Sequence, residues 1–289
     1  MKKQLLIPAI AAIFLGLISF TSCQKTEKVS SDANITAAQD DALSEDMYND
    51  VYSEMDDALT SLDASAYAAT STKSAATEGS RTVTVSTPDS TTFPKTITIE
   101  FVNWTDAAGR VKNGKIIIVV TGRYREIGAT KTVTFDNFTI DDNLIEGTKT
   151  VENLGRNEDG NLQYRVTLVG GKVTTPDGKV ITRESERIRT WVAGEITPHM
   201  HWDDMYMIEG SASGTDSNGD AFSRTILNPL FIVADCPWIA KGTAEVVRGD
   251  KTMTIDYGGA DAVCDNNATV TVNGVTKEIK LHRGKKRVW

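Results

Sequence analysis

The chain has 289 residues, of which 40% are apolar, 24% charged and 7% aromatic, with 22 Gly and only 7 Pro. That composition suits a folded chain with material for one large domain or two small ones, and it excludes disordered, collagenous and multi-span membrane proteins. A formal charge of −8 leaves no basic footprint for non-specific nucleic-acid binding, so no nucleic-acid partner is expected.

Met1-Lys2-Lys3 gives the chain a positive start, and Leu5 to Phe20 is apolar. A run of that length is short for a bilayer span and suits the core of a signal peptide. It ends in Phe20-Thr21-Ser22-Cys23, where small residues precede a cysteine, and this resembles the lipobox of bacterial lipoproteins. The resemblance implies that residues 1–22 are removed and that Cys23 is acylated, which anchors the chain on the cell outer membrane. Each buried CH₂ of such an anchor contributes about 0.8 kcal/mol. The competing reading is an ordinary secretory signal, or an uncleaved anchor, with an incidental cysteine.

Without residues 1–22 the chain carries 29 bases and 39 acids, a charge of −10. Residues 24–66 hold eleven of those acids against Lys25 and Lys28, whereas residues 67–289 hold 28 acids and 27 bases. The acidity therefore belongs to the segment beside the anchor. Residues 23–35 are polar and read as a tether. Thr36-Ala37-Ala38-Gln39 has capping-box spacing. Leu43, Met47, Val51, Met55, Leu59 and Leu62 then recur every three or four residues, which predicts an amphipathic helix over 36–63. Its other faces carry Asp40, Asp41, Glu45, Asp46, Asp50, Glu54, Asp56 and Asp57. Such a helix is repelled by anionic lipid, so its stripe is expected on the protein's own body or on a partner. Residues 64–80, rich in Ala, Ser and Thr, read as a linker.

From Arg81 to the end of the chain the pattern is β: short runs of Val, Ile, Thr and Tyr separated by Gly, Asn and Asp. Among the runs are Lys115 to Tyr124, Ala221 to Leu227 and Leu230 to Ala234. Asp159-Gly160, Asp177-Gly178, Gly249-Asp250 and Asn273-Gly274 are hairpin turn chemistry, and no stretch of helix length provides a parallel crossover. The prediction is a mainly β chain, an antiparallel meander of about a dozen strands over 81–289, with one N-terminal helix. Thr96 to Phe101 alternates as a half-buried strand does. Ile116 to Val120 is apolar on both faces and needs a cover on each side, for which the helix is a candidate. Thr182 to Arg189 is charged on both faces and is expected to run in solvent. A curled or partly open sheet reconciles these better than a sandwich. Leu144-Ile145-Glu146-Gly147-Thr148 is echoed by Met207-Ile208-Glu209-Gly210-Ser211, one echo being too few for a repeat.

Cys236 and Cys264 are an even pair in a chain read as exported. They are expected to form a disulfide, two buried free thiols being the alternative. The C-terminal stretch runs Cys236-Pro237-Trp238, Gly242-Thr243-Ala244-Glu245, Thr254-Ile255-Asp256-Tyr257-Gly258 and Cys264-Asp265-Asn266-Asn267-Ala268-Thr269-Val270, then Asn273-Gly274. With Thr134-Phe135-Asp136-Asn137-Phe138 and Glu146-Gly147-Thr148, it resembles a family of Bacteroidota lipoproteins without assigned activity. That resemblance implies two further features. Gln24-Lys25 with Glu27 is similar to a cell-surface export signal, and Asp89-Ser90-Thr91 is similar to an O-glycosylation site at Ser90.

Candidate chemistry is sparse. His199, His201 and Asp203 are the one cluster of metal-ligand types, since residues two apart in an extended segment share a face; an ordinary polar loop after Pro198 is the alternative. Arg248-Gly249-Asp250 spells an adhesion tripeptide but also supplies a turn. Gly210 to Gly214 lacks the central serine of a nucleophile elbow, Ala212 standing there. Asp216 to Asp220 has the flavour of a calcium loop, but Leu227 occupies the place of the bidentate acid. Trp104, Trp191, Trp202, Trp238 and Trp289 with Tyr124, Tyr164 and Tyr206 could stack on a glycan, although aromatics at strand spacing more often pack. Lys277 to Trp289 carries six bases against Glu278, available to the acidic helix or to lipid headgroups. No cofactor is implied. The expectation is a lipid-anchored envelope protein, a binding or scaffold module with a glycan or protein ligand. The alternatives are a metal-dependent hydrolase at His199/His201 and a carrier of lipid or lipoprotein.

Overall fold

A computed structural model of the chain describes residues 40–41, 43–59, 70–74, 79–87, 89, 91–107, 109–123, 125–197, 203–236, 238–259 and 261–281. Residues 1–22, read as a signal peptide, Cys23, the stretch read as a tether, Ser90, His199 and His201 lie outside them. Residues 40–41 and 43–59 are helical and form α1. The strands that follow are β1 (Thr70–Ser74), β2 (Ser80–Val85), β3 (Lys95–Thr105), β4 (Val111–Val120), β5 (Thr130–Ile140), β6 (Asn143–Arg156) and β7 (Leu162–Thr174). They continue with β8 (Val180–Ala193), β9 (Met205–Thr215), β10 (Ala221–Val233), β11 (Ile239–Arg248), β12 (Lys251–Asp256), β13 (Asn267–Val272) and β14 (Val275–Lys280).

Among the described residues these strands make one antiparallel sheet in strict chain order from β1 to β14, and no pairing joins the two edges. The mainly β, open meander with one helix is thus as the sequence predicts. Three boundaries differ. β1 lies inside the stretch read as linker and pairs Thr70 with Thr84 through Ser74 with Ser80; its Thr and Ser residues suit a strand as well as a loop. The two runs on either side of Asn228-Pro229 are one strand, β10, interrupted by a bulge between Thr225 and Leu230, where Pro229 cannot donate to the ladder. β4 begins four residues before Lys115, because Gly114, at φ 85°, carries the strand through an irregularity.

The echo between β6 and β9 has a backbone meaning. Gly147 and Gly210 sit in mid-strand at φ 118° and 120°. A Cβ at Gly210 would lie 2.2 Å from the Glu186 carbonyl oxygen, and one at Gly147 2.8 Å from the Gly171 Cα. Both are places where adjacent strands approach too closely for a side chain, and such irregularities bend a strand.

α1 lies across one face of the sheet and covers Ile116 and Ile118 of β4, but the cover expected on the other side of that strand is not there among the described residues: Ile117 is half-buried and Val119 exposed. Met47, Val51, Met55 and Leu59 join Ile97, Ile99, Phe101, Ile116, Ile118, Val133, Phe138 and Ile145 in one core. Burying apolar surface at about 25 cal/mol per Å² is the main stabilising term for this layer. A smaller cluster of Leu230, Ala244, Tyr257 and Ala268 continues the inner face over β10–β13. The Cys236–Cys264 disulfide, with Cα atoms 5.7 Å apart, ties the end of β10 to the loop before β13.

Candidate functional site

The chemistry of this molecule is concentrated between α1 and the inner face of the sheet. Along β2 the inward residues are Arg81, Val83 and Val85; along β8 they are Ile181, Arg183, Arg187 and Trp191. Cations thus occupy positions that the strand alternation assigns to the interior. A buried cation needs a counter-charge and hydrogen bonds, and the acids of α1 provide them.

At the start of α1, Asp41 pairs with Arg183 and with Arg224, the latter at 3.2 Å, and Glu45 pairs with Arg183 and Arg187. In the middle, Asp46 lies 3.3 Å from Arg110, which also pairs with Asp50. Lys112 reaches Glu54 at 2.5 Å, Asp50 at 2.9 Å and Asp106 at 3.2 Å. Towards the end of the helix, Arg81 bonds Glu54 at 2.8 Å and Asp57 at 2.9 Å. The helix therefore crosses from β10 to β2, and its acids meet cations of β10, β8, β4 and β2 in turn. Asp40 extends the contact by accepting the Ser217 N–H at 2.8 Å in the β9–β10 turn.

Electrostatics follow from this geometry. Burial would raise the Glu45 carboxyl, but the Arg187 and Arg183 guanidiniums outweigh it and hold it well below the usual carboxylate range. Glu54 is likewise held low, burial being outweighed by Lys112 and Arg81. Burial would lower the Lys112 ammonium, yet Glu54 and Asp50 raise it. Lys149 differs. Its ammonium donates to the Tyr48 carbonyl at 2.8 Å, and burial brings it down to about 7; Glu45 opposes this, while Arg187, Arg189 and Arg183 reinforce it.

These findings correct the expectation that Thr182 to Arg189 runs in solvent. Glu184 and Glu186 face out, whereas Arg183, 2% exposed, and Arg187 face in toward the helix. Asp41, Asp50 and Glu54 of α1 are buried as well.

A second cluster lies toward the opposite strand ends. Asp204, buried, accepts from the Trp191 indole at 3.1 Å and from the Tyr206 hydroxyl at 2.8 Å. Arg189 lies 3.5 Å from the Tyr206 ring centroid and 4.5 Å from that of Tyr52. Trp191, Tyr164 and Tyr206 are buried here and Trp104 packs against the same core, so these four do not form an external stacking platform. Trp238 is half-buried, while Tyr124, Trp202 and Trp289 are outside the described residues.

Of the metal candidates only Asp203 is described, and it accepts the Thr197 hydroxyl at 2.6 Å. Among the described residues no group of three or more His, Cys, Asp and Glu could hold an ion. Asp216 to Asp220 is a hairpin turn: Asp216 accepts from Asn218 N at 2.9 Å and Asp220 N at 3.1 Å. Arg248, the first residue of the adhesion-like tripeptide, sits in the β11–β12 hairpin and reaches Asp216 at 2.8 Å. Its guanidinium fills the place that a cation would take. Asp89 accepts the Thr91 and Thr92 N–H groups at 2.8 and 2.6 Å, and these bonds hold its carboxyl low.

Comparison with known proteins adds no relative: no protein-family model, no curated protein and no solved structure matches the chain.

Proposed function

We propose that the protein is a lipid-anchored component of the cell envelope, held at the outer membrane through acyl chains on Cys23, whose sheet is a non-catalytic scaffold or binding surface for a protein or glycan. The observation that carries this reading is the ion-paired seat of α1. The segment that follows the lipobox leads into a helix whose acids are locked to five cations of the sheet and to Arg110 just before β4, so a load on the anchor passes directly into the core. The disulfide supports an exported location, because such bonds persist in oxidising compartments. The resemblance to Bacteroidota lipoproteins points the same way, as does the candidate O-glycosylation at Ser90. A lipid carrier would need an open apolar groove, whereas the sheet face beneath α1 is filled by helix side chains.

Cells grown with labelled palmitate test the anchor. Label is expected in the wild-type protein and none in Cys23→Ala, which should leave the membrane fraction. An unlabelled wild-type product overturns the reading. Protease shaving of intact cells then separates surface display, in which the sheet is cleaved, from a periplasmic orientation, in which it is protected.

A further inference from the structure

β10 carries more chain than its neighbours match. It advances from Thr225 to Leu230 while β9 advances only from Ser211 to Ile208, and from Ile226 to Phe231 while β11 covers only Ala244 to Lys241. Bulges of this kind re-aim side chains and are frequent beside binding sites. Gly242 lets β11 pass this one: it sits at φ 116°, and a Cβ there would lie 2.5 Å from the Pro229 carbonyl oxygen.

Two short cross-strand rows flank the bulge. Met207, Phe231 and Lys241 are partners in register, and so are Asn228, Thr243 and Asp256. The residues that alternate with them, Leu230, Ala240 and Ala244, are buried, so both rows face away from the core. They border a cavity of about 320 Å³, open to solvent, with Met207 and Pro229 in its wall beside Lys241, Asn228 and Asp256, and with the backbone of Gly258 also lining it.

The polar groups here are held in place but not used up. The Lys241 ammonium stands 5.1 Å from the centroid of the Phe231 ring and, among the described residues, forms no ion pair. One Asp256 oxygen accepts the Gly258 N–H at 2.9 Å, and this carboxylate has no cation paired with it among the described residues. The Asn228 amide donates to the Thr243 hydroxyl at 2.7 Å, which leaves its carbonyl oxygen as an acceptor. A cation and a carboxylate that share a cavity without pairing select a ligand that accepts and donates hydrogen bonds at once. Adjacent hydroxyls of a sugar ring do both, with a charge-assisted bond on each side. The C–H face of such a ring matches Met207 and Pro229, as in ligand sites that are mostly apolar with a few placed polar groups. One charge of each sign gives an acidic sugar no advantage over a neutral one.

We propose that this cavity, on the outer face of β9 to β12, binds a neutral hexopyranose unit of a glycan, with Lys241 donating to one ring hydroxyl and Asp256 accepting from its neighbour. The site rests on the reading of the sheet as a binding surface and narrows that reading to one ligand class and one place.

The full chain, purified in detergent, is titrated with the methyl glycosides of glucose, galactose and mannose and followed by saturation-transfer NMR. The titration runs to about 50 mM, above the millimolar dissociation constants that so small a ligand reaches. Methyl glucuronoside and alanine are the anionic and zwitterionic comparisons. At least one neutral hexoside is expected to bind, with an affinity that salt leaves unchanged because the ligand carries no charge to screen. Lys241→Met keeps the aliphatic stem over Phe231 and removes the donor, while Asp256→Asn keeps an acceptor for the Gly258 N–H and removes the charge. Each should weaken binding about tenfold, the scale of a hydrogen bond to a charged group. Asp256 is exposed, so its variant should keep the wild-type thermal transition and decides the matter if Lys241→Met lowers it. Lys179→Met, in the exposed β7–β8 turn, should change nothing. Binding by none of the three hexosides, alanine or the glucuronoside binding in their place, or undiminished binding in Asp256→Asn overturns the proposal. Palmitate label without hexoside binding removes this site alone, and hexoside binding without label removes the anchor alone.

Discussion

Replacing Lys112 by Met tests whether the seat of α1 is electrostatic in the way the geometry implies. Lys112 is 1% exposed and touches Glu54, Asp50 and Asp106 within 3.2 Å. Methionine keeps most of the side-chain volume, so the loss is chiefly that of the charge. Removing one partner of a buried ion pair costs about 3–5 kcal/mol, because the remaining charge is stranded in the interior. With a urea m-value of about 2–3 kcal/mol/M, the midpoint should fall by about 1.5 M at unchanged m, followed through the fluorescence of buried Trp191. Neutralising Glu54 as well, in Lys112→Met/Glu54→Gln, should restore part of the loss. A coupling of about 1–3 kcal/mol is expected for residues in one network. A single-variant loss below about 1 kcal/mol, or strict additivity in the double variant, would refute the claim that these charges are shielded from water, since exposed pairs contribute only about 0–1 kcal/mol.

Further tests concern other parts of the fold. Glu45 and Glu54 have folded-state pKa values below the 4.5 of the free side chain; their contribution is present above that value and is lost as pH falls, so urea midpoints should drop steeply below about pH 4.5. The Lys149 pKa is also lowered by folding, but here it is the charged form that is penalised: its ammonium titrates near 7 in the fold and near 10.5 when unfolded, so stability again rises with pH, in a higher window. The penalty of its burial is complete below pH 7 and relieved as pH rises toward 10.5. Lys149→Met should therefore stabilise at pH 6, with a gain that shrinks by pH 9, as read by paired urea titrations. Cys236→Ala with Cys264→Ala reopens a 28-residue separation and should cost about 3–4 kcal/mol in the chain-entropy account. Gly210→Ala must fit a Cβ 2.2 Å from a backbone oxygen at φ 120°. It should lower stability by about 2–3 kcal/mol in a thermal melt, more than a strained φ alone at the lower end of its range.

The strands were legible because their alternation survives folding. Thr96 to Phe101 and Ile116 to Val120 are strands, with Ile97, Ile99, Phe101, Ile116, Ile118 and Val120 buried. The helix was legible from its four-residue recurrence, and the disulfide from the even pair of cysteines in a chain read as exported. The electrostatic seat was not recognised, because charged residues are read as solvated and their partners lie 27 to 183 residues away in sequence. A signal was nevertheless present. Arg81 shares the parity of Val83 and Val85, Lys112 that of Ile116 and Ile118, and Arg183 that of Ile181 and Trp191. Cations in phase with buried aliphatics, in a chain whose acids are gathered into one helix, describe a basic lining waiting for an acidic insert. β1 was missed for a different reason: a Thr- and Ser-rich stretch satisfies both loop and edge-strand chemistry.

The strict neighbour-to-neighbour order of the strands bears on how the molecule is assembled. Each hairpin can zip as soon as its second arm leaves the ribosome, without waiting for distant sequence. The helix, by contrast, emerges first and its last counter-charge, Arg224, last but for four strands. Until then its carboxylates are hydrated and mutually repelling, so the lid closes late, strand by strand, as the lining beneath it is laid down.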